Sequence, residues 1–84
     1  MLDDTIRGAL AEHGQLAVDV AVLGNDDDLY AAGLTSHATV NLMLALEDEL
    51  EFEFPEHLLR RSTFQSITAI GAAVHECTRV GHEQ

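Results

Sequence analysis

The sequence is short of the residues that most often announce a function. A single cysteine, Cys77, excludes an internal disulfide and says nothing of the redox compartment; near the end of an apolar helical stretch it reads as a small core residue. No run of 18 apolar residues and no basic segment leading into an apolar one is present. Neither a membrane-spanning helix nor a secretory leader is read, so a soluble, cytoplasmic protein is the expectation. Bases are scarce: four, all arginine (Arg7, Arg60, Arg61, Arg79), against fifteen acids, for a net charge of −11. Such a polyanion is repelled by nucleic-acid phosphates and by anionic membrane surfaces, so neither is expected as a partner. Proteins with basic patches, or cations, fit better.

Length sets a second exclusion. A chain of 84 residues buries only ~60–65% of the surface it exposes when unfolded, enough for a modest core but not for a deep catalytic cavity. One domain over residues 1–84 is expected, as a monomer, with residues 79–84 as a frayed tail.

What is present is mostly helical periodicity. "DDTIRGALAEHG" has a cap in Asp3 or Asp4, then Ile6, Ala9, Leu10 and His13 at helical spacing and Gly14 as a stop, predicting a helix over about residues 3–14. Residues 15–35 sustain no period. A strand at "LAVDVAV" would have no partner, so a long loop pinned by its apolar residues is predicted, and loops of that length are often functional. "SHATVNLMLALEDEL" is the strongest helix, with Ser36 as its cap. Its apolar positions run nearly all round, and Val40, Leu44 and Leu46 are expected to face the core. If Leu46 is buried, Leu46→Ala costs about 2–5 kcal/mol. Pro55 opens a short helix "PEHLLRR", and Thr63 or Ser66 opens a last one whose Ile67, Ile70, Val74 and Cys77 share a face. Phe54, Leu58, Leu59, Phe64, Ile67 and Ile70 are expected to close the core. The fold class is all-α: a small bundle of three main helices and a short third one, with a long first loop.

Three metal or catalytic readings fail on spacing. The five histidines (His13, His37, His57, His75, His82) include no pair at metal-binding helical spacing, and "HEC" lacks the second histidine of a zinc helix. "GNDDDLYAAGL" has neither the glycine at six nor the glutamate at twelve of a calcium loop. Ser36 and His37 are adjacent, so on a helix their side chains diverge, and no nucleophile elbow is present.

Ser36 is better explained another way. It follows Gly33, which allows a sharp turn, and it stands at a helix N-terminus, where N–H groups and the macrodipole favour an attached phosphate. Six acids in ten residues follow (Glu47, Asp48, Glu49, Glu51, Glu53, Glu56). "GLTSHATVNLMLALEDELEFEFP" resembles the prosthetic-group region of acyl carrier proteins, whose usual pattern is Gly-x-Asp-Ser-Leu. The counterparts here are Gly33, Thr35, Ser36 and His37, then the acidic stretch 47–51 and the apolar–acidic segment 52–55. The resemblance extends to length, helix order, long first loop and charge. It implies a carrier that is not itself an enzyme, with 4′-phosphopantetheine from coenzyme A on Ser36, installed by a Mg²⁺-dependent phosphopantetheinyl transferase.

The sequence departs from the fatty-acid type: Thr35 replaces the aspartate, His37 the leucine, and Ala38 and Asn41 stand where acids are usual. "DLYAAGLTSHATVNLML" is similar to stand-alone aminoacyl carrier proteins, charged with a small amino acid such as glycine or alanine by an amino acid:carrier protein ligase related to class II aminoacyl-tRNA synthetases. On that reading Thr35, His37, Val40, Asn41, Glu47 and Asp48 dock partners, through steering of basic enzymes by the acids. Two alternatives stay open: a stand-alone acyl or peptidyl carrier served by acyl-transfer enzymes of fatty-acid, polyketide or nonribosomal-peptide synthesis, and a non-covalent acidic adaptor.

Overall fold

A helix whose apolar residues recur every third or fourth position must lay that edge against a partner. In the computed structural model, which describes residues 2–82, three such helices meet around one core. Helix α1 (Leu2–Ala9) carries Asp3 and Asp4 in its first turn, where acids complement the macrodipole, and buries Ile6 and Ala9. The helix predicted over residues 3–14 continues past α1 as one wider, π-helical turn, Leu10–Gly14. The left-handed residue that ends it is Gln15 (φ 52°), not Gly14. Gly14 is buried, and a Cβ there would lie 3.2 Å from Leu10 Cδ2, a tight contact.

Residues 15–35 contain no strand. Their only regular piece is a 3₁₀ turn, Val20–Val22, started by Asp19, whose Oδ1 accepts from the Ala21 N–H at 3.0 Å. Leu23, Leu29 and Leu34 pin the segment to the core, whereas Val18 and Val22 are exposed and pin nothing. Polar ties complete the attachment. The Arg7 guanidinium donates to the carbonyls of Val20 and Leu23, both at 2.8 Å, and to Asn25 Oδ1 at 2.7 Å. The Leu29 N–H donates to the Gln65 carbonyl at 2.7 Å, and the Thr68 N–H to the Asn25 carbonyl at 2.9 Å.

Helix α2 (Ser36–Leu50) turns Ala38, Leu42 and Leu46 into the core. The face predicted from Val40, Leu44 and Leu46 is therefore one-third right: Leu46 is fully buried, but Val40 is 50% and Leu44 52% exposed. With apolar side chains nearly all round, periodicity could not choose the face; the row buried against the neighbouring elements is Ala38, Leu42 and Leu46. Helix α2 ends where Glu51 turns left-handed (φ 56°), and the N–H groups of Glu51 and Phe52 both donate to the Glu47 carbonyl.

The short helix predicted from Pro55 is replaced by two 3₁₀ turns, Glu56–Leu58 and Arg61–Phe64, with Pro55 extended just before the first. Leu59, expected in the core, lies between them and is 47% exposed. Phe52, Phe54 and Phe64 form an edge-to-face row, with centroids 4.7 and 5.3 Å apart, that fastens this segment to the core. Of the two predicted openers of the last helix, Thr63 is buried within the second turn, and Ser66 does the work: its Oγ accepts from the Ala69 N–H at 3.0 Å. Helix α3 (Ile67–His82) buries Ile67, Ile70 and Val74, with Cys77 partly covered. Its backbone is helical through 79–82 of the predicted tail; residues 83–84 lie outside the described residues. Among the described residues there is no strand, and no helix is long and apolar enough to cross a membrane.

Candidate functional site

The approach to α2 is set by Gly33. Its φ is +116°, and a Cβ there would meet the Ala17 backbone nitrogen at 2.8 Å, so no side chain fits. The Ala17 N–H in turn donates to the Ala32 carbonyl at 2.9 Å, closing the loop onto itself beside the helix start. Leu34 is buried and anchors the last step before the helix.

Thr35, not Ser36, is the N-cap. Its backbone is extended (φ −102°, ψ 167°), and its Oγ1 accepts from the Ala38 N–H at 3.1 Å. The Thr35 carbonyl accepts from both the Thr39 N–H (2.9 Å) and the Thr39 hydroxyl (2.7 Å). Ser36 is thus the first helical residue, exposed, and its hydroxyl has no hydrogen-bond partner among the described residues. The correction matters chemically. A serine serving as cap would have its oxygen tied to a backbone N–H; with Thr35 in that role, the Ser36 oxygen is free at the positive end of a 15-residue helix.

Ser36 opens onto a groove of about 350 Å³ between α2 and residues 59–64. Thr39, Val40 and Met43 supply one wall; Leu59, Arg60, Arg61 and Phe64 supply the other, and Tyr30 closes one end. Tyr30 is tied to the second wall. Its hydroxyl donates to the Arg61 carbonyl at 2.9 Å, and the Arg61 guanidinium lies 3.8 Å over its ring, a cation–π contact. Burial raises the Tyr30 pKa above its ordinary value, with the Arg61 charge pulling the other way. Two of the chain's four arginines therefore line the same groove as Ser36 in an otherwise acidic molecule.

The predicted docking residues divide among several places. Val40 lines the groove with Ser36. His37 is exposed and borders neither cavity, and Thr35 is occupied as the cap. Asn41 and Asp48 lie on another side of α2, with His13, Leu44 and Glu49, around an open depression of about 430 Å³. Glu47 belongs to the scaffold as well: its Oε2 accepts from the Phe54 N–H at 2.9 Å and orients the segment after α2. Arg60, Arg61 and Tyr30 are missing from the sequence-based site. The only signal that could have found them was compositional, two adjacent bases in a chain with four. Among the described residues, no three of His, Cys, Asp and Glu gather where they could hold a metal ion. The Cys77 thiol is pushed up in pKa by burial and by the neighbouring Glu76 charge, which keeps it protonated and poorly nucleophilic.

A helical scaffold with an unencumbered serine at a helix start is the arrangement that a carrier-type domain requires. The family model described as a phosphopantetheine attachment site matches residues 4–74, and the chain belongs to that family. It is 49% identical over 69 residues, 82% of this chain and 83% of the relative, to an aminoacyl carrier protein of Agrobacterium fabrum (strain C58). It also superposes, at a TM-score of 0.84 and 49% identity over 86% of this chain and 96% of the other, on a chain in a crystal structure of engineered Bradyrhizobium japonicum glycine:[carrier protein] ligase complexed with a carrier protein from Agrobacterium tumefaciens and AMP. A third likeness, at a TM-score of 0.74 and 29% identity over 86% of this chain and 96% of the other, is to a chain in the structure of the Bradyrhizobium japonicum ligase complexed with glycylated carrier protein. The family's prosthetic group is 4′-phosphopantetheine, and the residues at the start of α2 fit it: a free hydroxyl, a helix N-terminus and open space alongside.

Proposed function

We propose that Ser36 is the attachment residue and that the protein is an aminoacyl carrier, loaded with a small amino acid by an amino acid:carrier protein ligase and not itself an enzyme. The observation that carries the proposal is the division of labour at the start of α2, where Thr35 caps the helix and the Ser36 hydroxyl is left free and exposed. In the attachment step a phosphopantetheinyl transferase removes the hydroxyl proton. The Ser36 oxygen then forms a bond to the β-phosphorus of coenzyme A as the bond to the departing 3′,5′-adenosine diphosphate breaks. The bound group supplies a thiol on a flexible arm, on which cargo is held as a thioester. The chain's own contribution is positional: the α2 dipole and the N–H groups of its first turn favour the phosphodiester charge, and the rigid bundle keeps the attachment point on the surface.

Aminoacyl cargo is favoured over fatty acyl cargo by the relatives, two of which involve a glycine:[carrier protein] ligase. The surface around Ser36 agrees, since Thr35, Ala38 and Asn41 stand where acids are usual beside the serine in fatty-acid carriers, and His37 where leucine is. Within this reading His37, Val40, Asn41 and Asp48 are the partner-facing residues, and Thr35 acts through the cap it makes.

Intact mass after incubation with coenzyme A, Mg²⁺ and a broad-specificity transferase tests the attachment. One pantetheine increment is expected on the wild type and none on Ser36→Ala. Thr35→Ala should still be modified while losing about 0.5–2 kcal/mol of stability; Ser36→Ala should change stability by less than about 0.5 kcal/mol. An unmodified wild type, under conditions that load a control carrier, would favour the non-covalent adaptor. Offering the loaded protein to ligases with single amino acids, and to acyl transferases with acyl groups, tests the cargo. If only fatty or malonyl groups are accepted, the aminoacyl assignment is wrong.

A further inference from the structure

Five large hydrophobic side chains are exposed among the described residues, and three of them belong together: Val40, Leu44 and Leu59, each about half exposed. Val40 and Leu44 stand one turn apart on the same face of α2, and Leu59 lines the same groove as Val40 and Ser36. An apolar row left in water next to a functional residue marks an interaction surface. Its two sides differ in charge. The groove on the Leu59 side has no acid in its lining and holds Arg60 and Arg61, two of four arginines in a chain with fifteen acids. The depression on the Leu44 side is rimmed by Asp48 and Glu49 and has no arginine.

We infer that Val40, Leu44 and Leu59 form the centre of the surface on which the loading ligase docks, and that the opposite charges on its two sides fix the direction in which the ligase sits. A carboxylate of the ligase faces Arg60, and basic side chains of the ligase face Asp48 and Glu49. The inference rests on the aminoacyl-carrier reading and goes beyond it, since the partner-facing residues named there all lie on α2 and include no arginine. Charge complementarity selects the occupant. An enzyme with a uniformly basic face is drawn by the acids of residues 47–56 and repelled by Arg60 and Arg61, so it suits one half of the surface only. A ligase carrying both signs suits both halves in one orientation and neither half when turned around. Ser36 lines the groove on the arginine side, so the fixed direction brings the arm, and not the acidic end of α2, to the opening of the ligase. Arg61 lies over the Tyr30 ring, which holds its charge in place, while Arg60 is exposed at the rim. Exposed charges of this kind add little affinity each; they decide which partner approaches and which way it faces.

The test uses the glycine:[carrier protein] ligase of Bradyrhizobium japonicum, native and engineered, with glycine and ATP. Glycylation of the arm-bearing wild type is the reaction, and arm-free protein is added as its competitor, which reads the surface without the arm; intact mass confirms both states. Arg60→Gln should weaken competition about two- to five-fold, Arg60→Glu more, and Arg60→Lys less than either, with losses that shrink as salt rises. Asp48→Lys should weaken it to a similar extent, and Leu44→Gln, at the apolar centre, on the order of ten-fold. Melting temperatures should stay within a few degrees of wild type, since all three side chains are exposed. An acyltransferase of fatty-acid synthesis, chosen for a basic carrier-binding face, is the opposite probe: there Arg60→Glu should compete better than the wild type. The inference fails if Arg60→Glu competes at the ligase as well as the wild type or better, if it gains nothing at the acyltransferase, or if Leu44→Gln has no effect. An arm-bearing wild type that neither form of the ligase glycylates removes the ligase reading and this inference together, whereas a glycylated wild type with an unchanged Arg60→Glu removes only the latter.

Discussion

The two connections that flank α2 are nearly equal in their lack of long regular structure, yet they are held by different forces. Residues 15–35 are anchored by three leucines and a set of directed polar bonds, with Arg7 alone gathering two carbonyls and the Asn25 side chain. Residues 51–66 are anchored by an aromatic row and by Glu47, which holds the Phe54 N–H. The first connection delivers Gly33 and the Thr35 cap, and so fixes where Ser36 stands; the second delivers Leu59, Arg60 and Arg61, and so fixes what Ser36 faces. The site is thus a junction of a polar-tied loop and an apolar-tied one, joined by the Tyr30–Arg61 contact.

Removing the centre of the aromatic row should have the largest effect. Phe54→Ala empties a buried site between two ring contacts and is expected to cost about 3–5 kcal/mol, a large part of the stability of a small domain. Equilibrium urea unfolding measures it; a loss below about 1 kcal/mol would mean that the second connection is not held by the row. Arg7→Met keeps the apolar stem and removes three hydrogen bonds. A loss of roughly 1.5–3 kcal/mol is expected from charge-assisted bonds to backbone carbonyls, and hydrogen exchange should quicken at the amides of Leu23 and Leu29 before those of α3. Uniform quickening across all helices would show that Arg7 supports the whole fold and not that loop.

The smallest effect concerns the joint between the two connections. Because the Tyr30 pKa is raised in the folded state, the folded protein holds that proton more firmly than the unfolded chain does. Its contribution to stability is fully present below the unfolded tyrosine value, about 10, and is lost as pH rises through the folded value. Tyr30→Phe should flatten the decline of stability with pH in that alkaline window and loosen the groove wall at Arg61. A decline of the same steepness in the variant would assign the alkaline sensitivity elsewhere.

Much of the fold is legible in the sequence. The spacing after Asp3 and Asp4, the run from Ser36 to Leu50 and the candidate openers Thr63 and Ser66 locate the three helices to within a few residues, although Asp3 and Asp4, expected as caps, lie inside the first turn of α1, which begins at Leu2. The left-handed residues Gln15 and Glu51 were not legible, since neither type favours that conformation and packing imposes it. Nor was the buried face of α2, because its apolar residues nearly encircle it and only the neighbouring elements select Ala38, Leu42 and Leu46. The cap assignment failed by one position because Thr35 and Ser36 are both good caps, and the backbone turn after Gly33 decides between them.

The candidate site divides in the same way. The serine, the glycine before it and the acidic stretch after it are local in sequence, so their pattern, together with length, helix order and charge, carried the resemblance to the family. The groove is not local: Tyr30, Val40 and Arg61 belong to three separate segments.

By itself the sequence determined that the chain would be a small acidic helical domain with a serine at a helix start, because composition, capping and spacing are short-range properties. Only the tertiary structure decided that Thr35 takes the cap and leaves Ser36 free, that Val40 and Leu59 face outward, and that Arg60 and Arg61 line the same groove as the serine. Those outcomes depend on which surfaces close against each other when the two connections are folded over the core, a choice made by packing among residues far apart in the chain.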